Sequence, residues 1–374
     1  MLSSHPLLKY CKNNITSPID EQSIRGAKDG FVEVMRANTA LVRQKLHSPN
    51  LVFSPIAIGR QSNTLVEIVY MKNIVRTELV TIVHERLRTL DVDSILHSGQ
   101  IGETLSDRRF SLFPSYITTQ RPDRFALGLL EGQVGILVDG MPTAFITPVV
   151  LGSFFKSMDD YSNNYFYASF IRLLRYALVL ITLLVPAYYI AITTFHHEMV
   201  PFSITFSLQL ARAGVPLSTS FETLLMLLAA EVLIEAGQQM PKSIGPAVSI
   251  VGGLVVGEAA VNAKFISPGV VVMVAVSIIA NFAMVNQDIG HTLRIFRFLF
   301  AVMASFLGLA GISFLTLLLI IYLADMDVMG IPYLAPLISR DKSGIKDEMM
   351  RAPLFAQKER FRYFGSSNRR RRGR

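Results

Sequence analysis

"YALVLITLLVPAYYIAITTF", residues 176–195, is a run of 20 residues without a charge. A helix of that length rises about 30 Å, the thickness of a bilayer's hydrocarbon core, so the stretch reads as a membrane span. Arg172 and Arg175 at its entrance favour the cytoplasmic side, and Pro186 within it predicts a kink. Two later stretches, 266–287 and 298–324, are uncharged for 22 and 27 residues and read the same way. The composition agrees. Of 374 residues 51% are hydrophobic and only 17% charged, and the mean hydropathy of +0.41 exceeds that of ordinary soluble proteins.

Outward from this core the text divides into an unassigned segment 1–23, a cytoplasmic α/β domain 24–170, a helical transmembrane domain 171–330 and a basic cytoplasmic tail 331–374. In the second of these, 31–42 carries apolar residues at helical spacing. "LVFSPIAIG" and "TLVEIVYM" form β-branched runs about the turn-like "RQSN", and "QVGILVDGMPTAFIT" reads as two strands joined across "DGMP". Helices and hairpins in this order predict a mixed sheet. The fold class expected is an α/β cytoplasmic domain followed by an α-helical polytopic membrane domain. "MLSSHPLLKYCKNN" lacks the apolar core of a signal peptide, and Cys11 is the only cysteine, so no internal disulfide framework is possible.

The net charge of +8 sits at one end. Residues 340–374 hold twelve Lys/Arg against four Asp/Glu, and the rest is balanced at 24 against 24. A basic tail beside a span, with Arg369, Arg370, Arg371 and Arg372 in "NRRRRGR", reads as a contact with anionic lipid in preference to nucleic acid. With both ends cytoplasmic the spans must be even in number. The choice falls on four (176–195, 246–261, 266–287 and 298–324), leaving 221–237 interfacial or re-entrant and placing Arg294 and Arg297 outside.

Within "SIGPAVSIVGGLVVGEAAVNAKFISPGVVV", 243–272, Gly253 and Gly257 form a GxxxG pair with Ser249 on the same face, a pattern that lets helices approach closely. Glu258 flanks it, either at a polar helix interface or among lipid headgroups. In "FETLLMLLAAEVLIEAG", Glu231 and Glu235 share a helix face (i, i+4) and Glu222 lies off it. The three acids are candidates for a cation vestibule, although an amphipathic helix lying on the membrane with its acids in water is the preferred reading. His196, His197 and Glu198 point in different directions and lack further ligands at metal-binding spacing. No nucleotide-binding, metalloprotease, hydrolase or redox motif occurs, which leaves no catalytic residues, metal ligands or cofactor to assign.

At "LLEGQVGILVDGMPTAFITP" and again at "AGQQMPKSIGPAVSIVGGLVVGEAAVNAKFISPGVVV" the chain resembles the GerA-type spore germination proteins, specifically the A subunit of the nutrient germinant receptor. "IRGAKDGFVEVMRANTALVRQKL", "RPDRFALGLLEG", "FHHEMVP" and "ARAGVPLSTSFETLL" carry it further, from about Ile24 to Ser339. The resemblance implies a non-enzymatic receptor subunit in the spore inner membrane, working with an integral-membrane B subunit that binds the nutrient and a lipoprotein C subunit. It further implies a homo-oligomeric channel for monovalent cations. It assigns no proven role to Glu222, Glu231, Glu235, Gly253, Gly257 or Glu258, and Glu258 stands where Gln is commoner. Family members usually carry more cytoplasmic domain upstream, which residues 1–23 match little. Alternatives are a non-conducting scaffold subunit or a membrane transporter component, although the internal repeat a transporter predicts is not seen.

Overall fold

The computed structural model describes residues 17–18, 21, 26–108, 110–241, 245–337, 347–353, 355, 357 and 359–371. Two compact units emerge: Met1–Leu173 together with Leu323–Arg374, and Leu174–Tyr322.

The first unit is built on a five-stranded sheet. Strands β1 (Leu51–Ile58), β2 (Thr64–Met71), β3 (Ile117–Thr119), β4 (Val134–Val138) and β5 (Ala144–Thr147) lie in the order β1-β2-β4-β5-β3. Every neighbouring pair is antiparallel, so the mixed sheet expected from the alternating pattern is corrected. Both anticipated hairpins are present, which already makes two of the four pairings antiparallel, and the longer connections add the other two in the same sense. Helices α1 (Met35–Lys45), α2 (Thr77–Arg88), α3 (Ser98–Leu105) and α4 (Pro122–Glu131) complete the layer. Phe31, Met35, Val42, Phe125 and Leu129 pack on Val69, Leu137 and Ile146 to form the core. Strand β4 is buried at every position, the mark of a central strand. Helix α4 starts with Pro122 in its first turn and stops at Gly132, whose φ of +98° suits a residue without Cβ.

The tail belongs to this unit. After the short strands β6 (Asp327–Val328) and β7 (Ile331–Pro332), the Leu151 N–H donates to the Tyr333 carbonyl at 2.9 Å, and the Tyr333 hydroxyl donates to the Pro114 carbonyl at 3.0 Å. Farther on, Arg360 Nε donates to the Leu130 carbonyl at 2.6 Å, the Ser367 N–H to the Ile74 carbonyl at 2.9 Å, and Arg371 pairs with Glu131. The expected lipid-facing cluster is therefore corrected at Arg371, which is spent on a buried carboxylate. Arg369 and Arg370 are exposed, and Arg372 lies outside the described residues. Arg172, expected as a membrane flank, is fully buried with its guanidinium on the Asp347 carbonyl and, at 3.3 Å, on Asp160.

The second unit is helical. It takes up α6 (Tyr165–Thr194, following the short α5, Met158–Ser162) from Leu174 onward and adds α7 (Phe202–Ala211), α8 (Thr219–Gln239), α9 (Gly245–Asn262), α10 (Pro268–Phe282) and α11 (Gln287–Ala324). Helices α6 and α11, of 30 and 38 residues, are long and apolar enough to cross a membrane. Pro186 sits inside α6 without ending it.

Burial raises the Glu131 carboxyl above the usual carboxylate range, and Arg371 opposes that rise. A carboxyl raised on folding contributes stability at low pH that is lost as pH climbs from about 4.3, the unfolded value, through the folded one. Arg371→Ala removes the opposing cation, so we expect a destabilisation of about 3 kcal/mol near neutrality, larger at pH 7.5 than at pH 5. Urea denaturation at the two pH values checks this.

Candidate functional site

Helix α8 is turned inside out relative to a helix lying in water. Phe221, Leu225, Leu228 and Val232, at i, i+4, i+7 and i+11, are 54, 40, 55 and 61% exposed, whereas Glu222 is 0% exposed and Met226, Leu227 and Ala230 are buried with it. The preferred expectation, acids in water and apolar residues below, is thus corrected for Glu222.

Each inward acid has an arginine. Glu222 Oε2 accepts the Ser267 N–H at 2.8 Å, and Arg212 Nη2 donates to Oε1 at 3.4 Å. Ser267 is the N-cap of α10, and its own hydroxyl makes no capping bond. The carboxylate therefore does the capping from another helix, at the end where the α10 dipole favours a negative charge. Nearby, a Cβ on Gly269 would fall 2.4 Å from the Tyr189 phenol oxygen, so α6 and α10 approach closely here. Glu231 pairs with Arg297, which is fully buried, and lies 3.7 Å from Arg294. Arg297 Nη1 reaches Ser277 Oγ at 3.4 Å, and that hydroxyl donates to the Thr182 carbonyl at 2.8 Å. One polar rung thus joins α6, α8, α10 and α11. Arg294 and Arg297, expected outside a span beginning at 298, lie within the opening turns of α11 because Glu231 neutralises them there.

The acids do not gather as the vestibule expectation requires. Nine residues, two and a half turns, separate Glu222 from Glu231, so they serve opposite sides of α8. Glu235 is exposed and accepts a bond from Gln239 at 3.1 Å. In α9 the close approach falls one residue from the expected place. A Cβ on Gly252 would lie 3.1 Å from Leu233 of α8, whereas Gly253 faces open space and Gly257 meets only Val271, at 3.7 Å. Glu258 is exposed. Ser249 lies on α9, and its side chain is outside what the structure describes.

Residues that sequence reasoning missed complete the picture. Arg212, Ser267, Ser277 and Thr182 hold the rungs, and Gly308 breaks α11 with φ +58° and ψ −136°. A Cβ there would come 3.0 Å from the His196 ring and 3.1 Å from Phe195. The one sequence signal for the rungs was arginine at the edge of a 27-residue uncharged run, facing acids in another apolar helix. Among the described residues no group of His, Cys, Asp and Glu is arranged to hold a metal ion.

A profile of the Bacillus/Clostridium GerA spore germination proteins matches residues 5–363. The chain belongs to the GerA family. The match takes in most of the N-terminal segment and tail that the sequence resemblance left out. Spore germination protein KA of Bacillus subtilis is 36% identical over 349 residues, which cover 93% of this chain and 64% of that protein. Spore germination protein XA of Bacillus anthracis is 36% identical over 354 residues, 95% of this chain and 72% of that one. This GerA-family chain therefore spans about two thirds of the length of the relatives it matches. A solved structure, the N-terminal domain of the A subunit of the Bacillus megaterium spore germinant receptor GerK3, is 36% identical and covers 33% of this chain and 97% of that one, with a TM-score of 0.28.

Glu222→Ala strips the acceptor from the Ser267 N–H and from Arg212, and we expect a loss of roughly 1–3 kcal/mol, with Glu222→Gln milder because it still accepts. Gly308→Ala forces Cβ into a glycine-only backbone region against His196, a further cost of about 1–3 kcal/mol. Thermal unfolding of the detergent-purified protein reads both.

Proposed function

We propose that this GerA-family chain is the A subunit of a spore germinant receptor, sitting as a polytopic protein in the spore inner membrane and relaying nutrient binding into release of monovalent cations through an oligomeric channel. The observation that carries the membrane part is α8, with paired charges inward and a continuous apolar stripe outward. Lipid solvates such a surface and water does not.

The rungs support a specific path. Tyr189, Glu222 and Gly269 share one level, and Thr182, Glu231, Ser277 and Arg297 another. Between these levels α6 runs one way and α8 and α10 the other. Helix α9 passes from Leu233 near the second level to Val271 near the first, so it runs with α6. Helix α11 climbs from Arg297 to Gly308 beside Phe195 and His196, at the far end of α6. The non-helical backbone of Gly308 supports a reversal there, with the second half of α11 returning. This makes six crossings, α6, α8, α9, α10 and both halves of α11, with the sheet and tail cytoplasmic. This six-crossing reading is the alternative to the four spans expected from hydropathy.

Labelling from either side separates the two. On a Cys11→Ser background, six crossings put Met240→Cys and Met284→Cys on the cytoplasmic side and Lys264→Cys on the other. Four crossings without α8 reverse the sides of all three residues.

The open face at Gly253 and the exposed Glu258 support packing between copies. The Glu222 and Glu231 carboxylates are neutralised within the subunit, so the conducting path runs between subunits. The same neutralisation favours a second reading, a scaffold subunit that conducts nothing. Potassium efflux from liposomes holding the chain with integral-membrane B and lipoprotein C subunits decides, with nutrient added. The channel reading expects nutrient-dependent efflux, strongly reduced by Gly253→Leu and little changed by Glu258→Gln. Absence of efflux from the complete complex, with nutrient still bound, supports the scaffold.

A further inference from the structure

Between α4, α5 and the tail, within the sheet-bearing unit, lies a cavity of about 60 Å³. Two of its lining residues carry opposite charges whose bonding capacity is incompletely used. Arg124 is 9% exposed and spends Nη1 on Glu21 at 2.8 Å, and its Nη2 is buried without a partner. Glu131 is 6% exposed and spends Oε1 on Arg371, and its Oε2 is likewise buried without a partner. A buried donor or acceptor left unsatisfied is costly, and here one residue of each kind lines a single space. The two residues stand seven apart on α4, two turns and roughly 10 Å along one face. The rest of the wall combines apolar Ile146, Met158, Phe361 and Phe364 with Lys156, whose charge is already spent on Glu348 at 2.6 Å, and Gln133, which donates to the Pro148 carbonyl.

We propose that this cavity binds a small zwitterion, its carboxylate on Arg124 Nη2 and its ammonium on Glu131 Oε2. A single anion or cation leaves one of the two groups unsatisfied, whereas a molecule bearing both charges satisfies both. The volume admits about four to six heavy atoms, judged from roughly 10–15 Å³ for each water-sized site. The two-turn spacing then sets the ligand as an amine and a carboxylate separated by one to three methylenes, whose short apolar body rests on the ring and aliphatic wall. The tail closes this site, since Phe361 and Phe364 line it and Arg371 holds the second oxygen of Glu131.

The proposal stands apart from the receptor reading: absence of cation efflux leaves it intact, and absence of zwitterion binding leaves the receptor reading intact. Equilibrium dialysis of the full chain in detergent against radiolabelled β-alanine tests it, with glycine, γ-aminobutyrate, propionate and propylamine as competitors. We expect saturable binding of one zwitterion per chain, by β-alanine or by a labelled glycine or γ-aminobutyrate of better charge spacing. Propionate and propylamine should each compete at least tenfold more weakly. Glu131→Gln should weaken binding at least tenfold. Because that variant also loses the ion pair with Arg371, Leu127→Phe provides a second reading, filling the cavity while leaving both charges in place. It should abolish binding with the circular dichroism and thermal midpoint retained. Absence of saturable binding by all three zwitterions overturns the proposal, as water alone then fills the cavity. Equal competition by propionate, or undiminished binding in folded Leu127→Phe, overturns it as well.

Discussion

A guanidinium held away from water has to meet a carboxylate, because an isolated ion in apolar surroundings costs several kcal/mol. Arg297 is fully buried and Glu231 meets it, 66 residues earlier in the chain. That requirement fixes more than one pair. It sets the rotation of α8 about its axis and places the start of α11 beside the middle of α10, where Ser277 and Thr182 extend the rung to α6. Once α8 is so rotated, Phe221, Leu225, Leu228 and Val232 have nowhere to turn but outward. The apolar exterior and the charged interior are two consequences of one constraint.

Much of the sheet-bearing unit was legible. "RQSN" and "DGMP" announced their hairpins, because turn chemistry and strand alternation are local signals. Strand order and the antiparallel sense of β2 with β4 were not, since they depend on where α2 to α4 carry the chain. The helical unit was legible in composition and misread in arrangement. Hydropathy sees a carboxylate as a penalty and cannot see the arginine that cancels it, so α8 was set aside as interfacial. The same blindness placed Arg294 and Arg297 outside. Gly308 lay hidden in a 27-residue apolar run because glycine is ordinary in such runs, and only the backbone angles reveal the break. Gly252 and Gly253 differ by one position, and the GxxxG pattern chose the one that meets nothing in this chain.

The tail shows how a charge count misleads about location. Its excess of basic residues suggested lipid, yet Arg360 and Arg371 serve the carbonyl of Leu130 and the carboxylate of Glu131. Lys156 is held strongly basic despite burial because Glu348, at 2.6 Å, faces it. Through these contacts the chain that leaves the helical unit is fastened to the chain that enters it. Arg172 adds to these contacts within the sheet-bearing unit, its guanidinium on the Asp347 carbonyl.

The account turns on the claim that α8 shows its apolar stripe to lipid and Glu222 and Glu231 to protein. Spin labels placed singly at residues 221, 225, 228 and 232 in liposomes, and read by power saturation with oxygen and with a water-soluble nickel chelate, measure this most directly. The account predicts high oxygen and low nickel accessibility at all four positions. High nickel accessibility along the stripe would put α8 in water and contradict it.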